Sequence, residues 1–386
     1  MDSTLIKNIG QIFSGDIRQP VIEADSIIIE GGRIAAIGAG LAAPAGARII
    51  DAQGTTVMPG LIDNHCHPVI GDWSPRQSTL GWIDNYLRAG VTGLISAGET
   101  HIPGKPKDAE GCLALAVLSY KTFNNARPAG MKVYGGAYIM QPDAKEEDFA
   151  KLAAMGAGHS GEIGLGGANR IESAGPMIEW GRKHGFKFLC HRGASYLFGS
   201  TVMEPDTVVG LNPDVICHVT YGDISLEDID RFFAQTGAHI EFCRTQHSNI
   251  TNTISVLDKA RERGEMHRII LGNDAPSGFG IYAHGIWEMI CLLTACGRVE
   301  PAAAVACATG NTAELHNLET GRIKNGCWAD LLVCDAPAGS GADSACGSLA
   351  EGTIPGVSLV LLDGQVMAMN ETVNTAPAKR PVVMNA

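Results

Sequence analysis

Short apolar runs alternate with amphipathic stretches through the middle of the chain. Apolar runs that end in polar residues lie at Leu61–His65, Gly93–Gly98, Lys132–Ile139, Gly161–Leu165, Phe186–His191, Val215–Val219, His239–Cys243 and Arg268–Asn273. Runs of about four to eight such residues, bounded by Gly, Pro, Asn or Asp, read as buried strands. Between them AEGCLALAVLSYKTFNN, AKEEDFAKLAAMG, AGPMIEWGRKHG, SLEDIDRFFAQTG and TISVLDKARERGE carry helical spacing. Ser225 opens the fourth of these with Asp228 three residues on, close to a capping box, and several end at Gly, as helix C-caps do. Eight strands alternating with helices predict an α/β fold, a (β/α)8 TIM-like barrel.

The two ends have a different texture. SIIIEGGRIAAIGAG is two short runs split by Gly31-Gly32, a hairpin signal, and ARIIDAQGTTVMPG repeats the style. Near the other end GCWADLLVCDA and VSLVLLDGQVMAM are strand-like, with a turn at Asp363-Gly364. Because chain termini often lie close together, both ends are expected to meet in one small β-sandwich domain. The predicted division is 1–58 and 325–386 for that composite domain and 59–324 for the barrel. APAGSGADSACGS is expected to be a surface loop.

A length of 386 residues accommodates a barrel of this kind with a smaller domain attached. The formal net charge of −12 argues against nucleic acid and anionic membrane surfaces as partners, since both need a basic patch. A small anionic substrate remains compatible where local Arg or Lys residues overrule the global field. The N-terminal stretch MDSTLIKNIGQIFSGD shows no signal-peptide pattern, and no apolar run approaches the ~18 residues of a membrane span. The 11 cysteines are scattered without a CxxC pair, which fits reduced thiols in a cytoplasmic protein better than a disulfide framework.

Candidate chemistry gathers where a barrel of this type puts it, at the C-terminal ends of the strands. The first predicted strand ends in His65 and His67, the fourth carries Glu162, the fifth ends in His191, the sixth in His218 and the eighth in Asp274. Two residues apart on an extended chain, His65 and His67 share a side, so one strand can offer two imidazoles to one metal. Cys66 then points the other way, into packing. Any one of these residues has an ordinary structural explanation. Four His, one Glu and one Asp at the strands of a single barrel point together to a metal site.

VMPGLIDNHCH, followed by His191, His218 and GNDAP, resembles the amidohydrolase superfamily over almost the whole chain. The resemblance implies a metal-dependent hydrolase acting on C–N bonds. It also implies two divalent ions, with His65, His67 and Asp274 on one and His191 and His218 on the other. Many two-metal members bridge their ions with a carboxylated Lys on the fourth strand. Here no Lys occurs between Lys151 and Lys183, and GHSGEIGLGG offers Glu162, which is expected to bridge with one oxygen to each ion. His and carboxylate ligands suit Zn or Fe. Asp274 is expected to serve as general base.

Within the superfamily the sequence resembles the enamide hydrolases of nicotinate fermentation. That implies a small anionic cyclic amide, 1,4,5,6-tetrahydro-6-oxonicotinate, as substrate, with 2-formylglutarate and ammonium as products, and a homo-oligomer, a tetramer. A hydantoinase- or dihydroorotase-like hydrolase or a deaminase would use the same metals, and a non-catalytic scaffold would have lost ligands that this chain keeps. For the substrate carboxylate, Arg192 and Arg244 follow strand ends and can form bidentate pairs. His101 in GETHIPG is a candidate to bond the ring or the tetrahedral oxyanion, and FGSTVM and SGFGIYAHG are candidate pocket walls.

Overall fold

The computed structural model describes residues 3–192, 200–221, 224–245, 247–276 and 280–385. All eight inner strands are present, at Leu61–Cys66, Val91–Ser96, Lys132–Tyr134, His159–Ile163, Lys187–His191, Val215–Cys217, His239–Cys243 and Ile269–Gly272. The first three pair in parallel as one sheet and the last five as another. Parallel bridges Tyr138–Ser160 and Cys66–Ala275 join the two sheets at both edges.

The third strand is shorter than the expected Lys132–Ile139 because Gly135-Gly136 ends it. Gly136 sits at φ 88, and a Cβ at Gly135 would meet the Phe123 ring at 2.8 Å, so the chain turns against the helix Ala109–Ala126. The five amphipathic segments form helices at Ala109–Ala126, Glu146–Met155, Ile171–Lys183, Leu226–Gln235 and Ile250–Glu262. Ser225 Oγ accepts the Asp228 amide at 3.1 Å, which fixes the start of the fourth. Further short helices at Trp82–Arg88, Pro205–Leu211, Gly285–Cys291, Pro301–Cys307 and Gly310–Leu315 carried no clear periodic signal.

Strands from the two chain ends mix. Val383–Asn385 pairs with Arg48–Asp51, and Leu331–Asp335 pairs with Thr56–Pro59. The two resulting sheets share one buried cluster that includes Ile6, Ile27, Ile29, Val57, Leu331, Val333, Leu359 and Leu361. Thr56–Pro59 passes directly through Gly60 into the first inner strand. A Cβ at Gly60 would lie 2.1 Å from Thr92 Oγ1, so only glycine fits this junction. The segment expected to be a surface loop is instead partly folded in: Ala345–Ala350 is helical, and Ala336, Ala342, Ala345 and Ser348 are buried. Its small side chains fit close packing that a search for large apolar residues overlooks.

All 11 cysteines are free thiols, most of them buried. No helix among the described residues is long and apolar enough to cross a membrane.

Candidate metal centre

The six residues singled out above converge at one end of the parallel strands. Five are buried, and the Asp274 side chain keeps 15% exposure. Glu162 lies in the middle and faces two ways. Its Oε2 is 3.3 Å from His65 Nε2 and 3.4 Å from His67 Nε2. Its Oε1 is 3.0 Å from His191 Nδ1 and 2.9 Å from His218 Nε2. Asp274 Oδ1 joins the first group, 3.2 Å from His67 Nε2 and 3.6 Å from His65 Nε2.

The outer hydrogen bonds fix which ring nitrogens face inward. Carbonyls only accept, so His67 Nδ1–H donates to Gly98 O (2.9 Å) and His218 Nδ1–H to Arg192 O (3.1 Å). His65 Nδ1 donates to Glu241 Oε2 at 2.8 Å. Each Nε2 is thereby turned toward the centre, with His65 and His67 Nε2 only 3.2 Å apart. Two inward nitrogens at that separation, with carboxylate oxygens beside them, need a proton or a cation between them.

Electrostatics agree. Burial opposes charge on His65, but Glu241 and Glu162 hold its ring well above the ordinary imidazole range. Burial likewise opposes charge on His67, yet Asp274 and Glu162 raise it to about 9. Burial would push Glu162 up, but His65 and His191 hold it well below the carboxylate range, and Asp274 is held low mainly by His67 and His65. His65–His67–Asp274 and His65–Glu162–His218 each bring their ligand atoms within 4.8 Å of one another, so the donor set fits metal ions.

The backbone is bent to deliver two of these groups. His218 at φ 43 and Asp274 at φ 51 occupy the left-handed region, a strain of about 1–3 kcal/mol each for residues of this kind. Two supporting residues escaped the sequence reading. Glu241 accepts from His65, from Asn64 Nδ2 (2.6 Å) and from the His218 amide (3.3 Å). Tyr221 Oη donates to Asp274 Oδ2 at 2.9 Å while its ring stacks on His218 at 4.8 Å. Glu241 sits on the inward alternation of HIEFC, a signal that was available. Nothing in the sequence marks Tyr221. Cys66 points away from the centre, as expected, with Sγ 3.1 Å from Asp63 Oδ2.

The residues expected to touch substrate divide. Arg192 is buried beside His191. Arg244 spends Nε on Glu288 (2.9 Å) and an amine on Thr245 O (3.1 Å), which weakens its case. His101 packs edge-on against His67 at 4.9 Å, and its Nδ1 accepts from Arg76 at 3.2 Å. An Arg can only donate, so His101 carries its proton on Nε2. Burial, with His67 and Arg76 nearby, lowers it to about 3 and keeps it neutral. FGSTVM and SGFGIYAHG lie partly outside the described residues, which omit 193–199 and 277–279.

No protein-family model matches the chain. Enamidase from Eubacterium barkeri is 45% identical over 384 residues, covering 98% of this chain and 99% of its own. An imidazolonepropionase from Streptomyces griseus is 23% identical over 357 residues, covering 82% of this chain and 87% of its own. The crystal structure of enamidase, described as a member of the amidohydrolase superfamily, superposes with a TM-score of 0.96 at 44% identity, covering all of both chains. A β-aspartyl dipeptidase from Fervidobacterium islandicum shares the fold at 18% identity and a TM-score of 0.66, covering 95% of this chain and 96% of its own. By its similarity over the whole length to enamidase, in sequence and in structure, this chain belongs to the enamidase family of hydrolases in the amidohydrolase superfamily.

Proposed function

We propose that the protein hydrolyses a cyclic enamide, 1,4,5,6-tetrahydro-6-oxonicotinate, to 2-formylglutarate and ammonium at a two-metal centre. The observation that carries the two-metal reading is the division of Glu162, whose two oxygens face two separate groups of histidines. His65, His67 and Asp274 would hold one ion and His191 and His218 the other, with Glu162 shared. Imidazole and carboxylate donors suit Zn or Fe. Such ions lower the pKa of water from about 15.7 toward ~7 and polarise a carbonyl.

The chain's own groups supply the rest. Asp274 Oδ1 takes the proton of the attacking water and returns it to the ring nitrogen as the C–N bond breaks. Tyr221 holds the other oxygen of Asp274, which aims Oδ1 inward. His101 donates Nε2–H to the substrate carbonyl oxygen as charge builds there. Arg192 pairs with the substrate carboxylate. Ring opening releases an enamine, which tautomerises to an imine, and water converts that to aldehyde and ammonium.

In the same reading the eight parallel strands, joined at both edges, form a (β/α)8 barrel over 59–324. Residues 1–58 and 325–386 form a β-sandwich. Family resemblance favours a homotetramer, and the free thiols favour a reducing cytoplasm. The test is loss of 1,4,5,6-tetrahydro-6-oxonicotinate beside hydantoin, dihydroorotate and imidazolonepropionate, each followed by chromatography, with ammonium release expected from the first alone. Turnover confined to one of the latter three would replace the substrate and keep the chemistry.

A further inference from the structure

The first inner strand breaks its alternation just before the centre. Asp63 pairs with Leu94 and Cys66 with Ser96, so Asn64 and His65 together oppose one residue, Ile95. Such a bulge puts two consecutive side chains on one side. Here both reach the same carboxylate: Asn64 Nδ2 donates to Glu241 Oε1 at 2.6 Å and His65 Nδ1 to Oε2 at 2.8 Å.

The contact continues away from the metal ligands. With its amide nitrogen committed to Glu241, Asn64 presents Oδ1 to His316 Nε2 at 2.8 Å, so that nitrogen is the donor. His316 follows the helix Gly310–Leu315 and lines a cleft of about 380 Å³ together with His159 and Lys187. Those two residues open their strands, so the cleft lies at the strand ends opposite the metal ligands. A line of hydrogen bonds, half-buried at His316 and fully buried at Asn64, Glu241 and His65, therefore runs from one end of the strands to the other.

Glu241 is where the donors meet. Its other donors, His65 and the His218 amide, both bond Oε2. Without a partner on Oε1 the carboxylate could rotate about its terminal bond, and His65 would lose the acceptor that turns Nε2 inward. Asn64 occupies Oε1 and removes that freedom. His316 holds Asn64 in the orientation that makes it a donor to Glu241. We propose that Asn64 and His316 are positioning residues that act through Glu241 to fix the orientation and tautomer of His65, although neither touches the centre. The proposal rests on the reading of His65 as a metal ligand.

Zinc affinity tests it without substrate. The chelator-stripped full-length enzyme competes with a chromophoric chelator for zinc, and thermal unfolding of each stripped variant reports folding. Loss of the direct outer partner of a metal-bound His typically weakens binding about 10–100-fold; Asn64→Leu and His316→Phe act one and two contacts further out through Glu241 and are expected at the low end, about tenfold. His316→Gln keeps an N–H donor and is expected to stay within about threefold of wild type. Residues acting as one unit do not add, so the double variant is expected to bind within about twofold of the weaker single variant. If Asn64→Leu fails to fold, the contrast between His316→Phe and His316→Gln decides. His316→Phe binding zinc within about twofold of wild type, or His316→Gln losing as much as His316→Phe, overturns the proposal. Failure of the wild type to bind zinc or iron would instead refute the metal reading beneath it.

Discussion

Replacing Tyr221 with Phe removes one hydroxyl and little else. The hydroxyl donates to Asp274 Oδ2 at 2.9 Å, and the ring, stacked on His218 at an interplanar angle of 6°, is retained by Phe. A hydrogen bond to an ionised acceptor is worth about 1.5–3 kcal/mol. If that bond holds Asp274 in its working orientation through the transition state, its loss lowers kcat by about 10–150-fold at 1.36 kcal/mol per tenfold. The same bond favours the ionised form of Asp274. Its removal raises the pKa of the base, but His67 and His65 still hold that carboxyl below the assay range, so the loss is read in kcat. Steady-state ammonium release at pH 7, with metal content measured on the same samples, checks it. Undiminished kcat at full metal occupancy would show that Tyr221 only packs against His218.

Three further outcomes follow from the same geometry. Asp274→Asn removes the proton acceptor and is expected to cut kcat by about 10²–10⁴-fold; turnover within about threefold of wild type, at unchanged metal content, would reject the general-base role. Arg192→Ala is expected to raise KM for the anionic substrate more than tenfold, a loss of at least about 1.4 kcal/mol, while a neutral cyclic amide without the carboxylate is affected little; equal losses on both would reassign Arg192 to structure. Glu99 is buried, and among the described residues neither oxygen has a hydrogen bond of good geometry; burial raises its carboxyl to about 8, only partly offset by Ser119 and the Ile70 backbone. Its folded-state pKa lies above the unfolded value, so its contribution is present below the unfolded pKa and is lost as pH rises through about 8. Metal-free wild type is therefore expected to lose about 1.4 kcal/mol per pH unit between pH 6 and 8 relative to Glu99→Gln, as read by denaturant unfolding; parallel pH curves would contradict this.

The features legible in the sequence were those set by local pattern. An apolar run ending in His or Asp announces both a strand and the end that carries chemistry, and so His65, His67, His191, His218 and Asp274 were found with their strands. Glu162 was found because a carboxylate stands where a Lys was expected. What escaped depends on distant parts of the chain or on a break in pattern. Strict alternation puts Asn64 opposite His65, and only the bulge against Ile95 brings both to Glu241. Glu241 was readable as an inward carboxylate, but its partner His65 is 176 residues away in sequence. Tyr221 matters through the left-handed turn at His218, which no residue type there foretells. The Ala-rich helix Pro301–Cys307 is buried on most sides, so it shows no polar face for a periodicity search to find.

The proposed two-metal centre, with Glu162 shared between the ions, would open a cyclic enamide. Its most direct test is to strip the purified enzyme with chelator, add back zinc or ferrous iron in increments, and follow ammonium release from 1,4,5,6-tetrahydro-6-oxonicotinate. Activity is expected to be negligible without metal and full at about two ions per chain. Full activity in the stripped enzyme, or a plateau at about one ion, would contradict it.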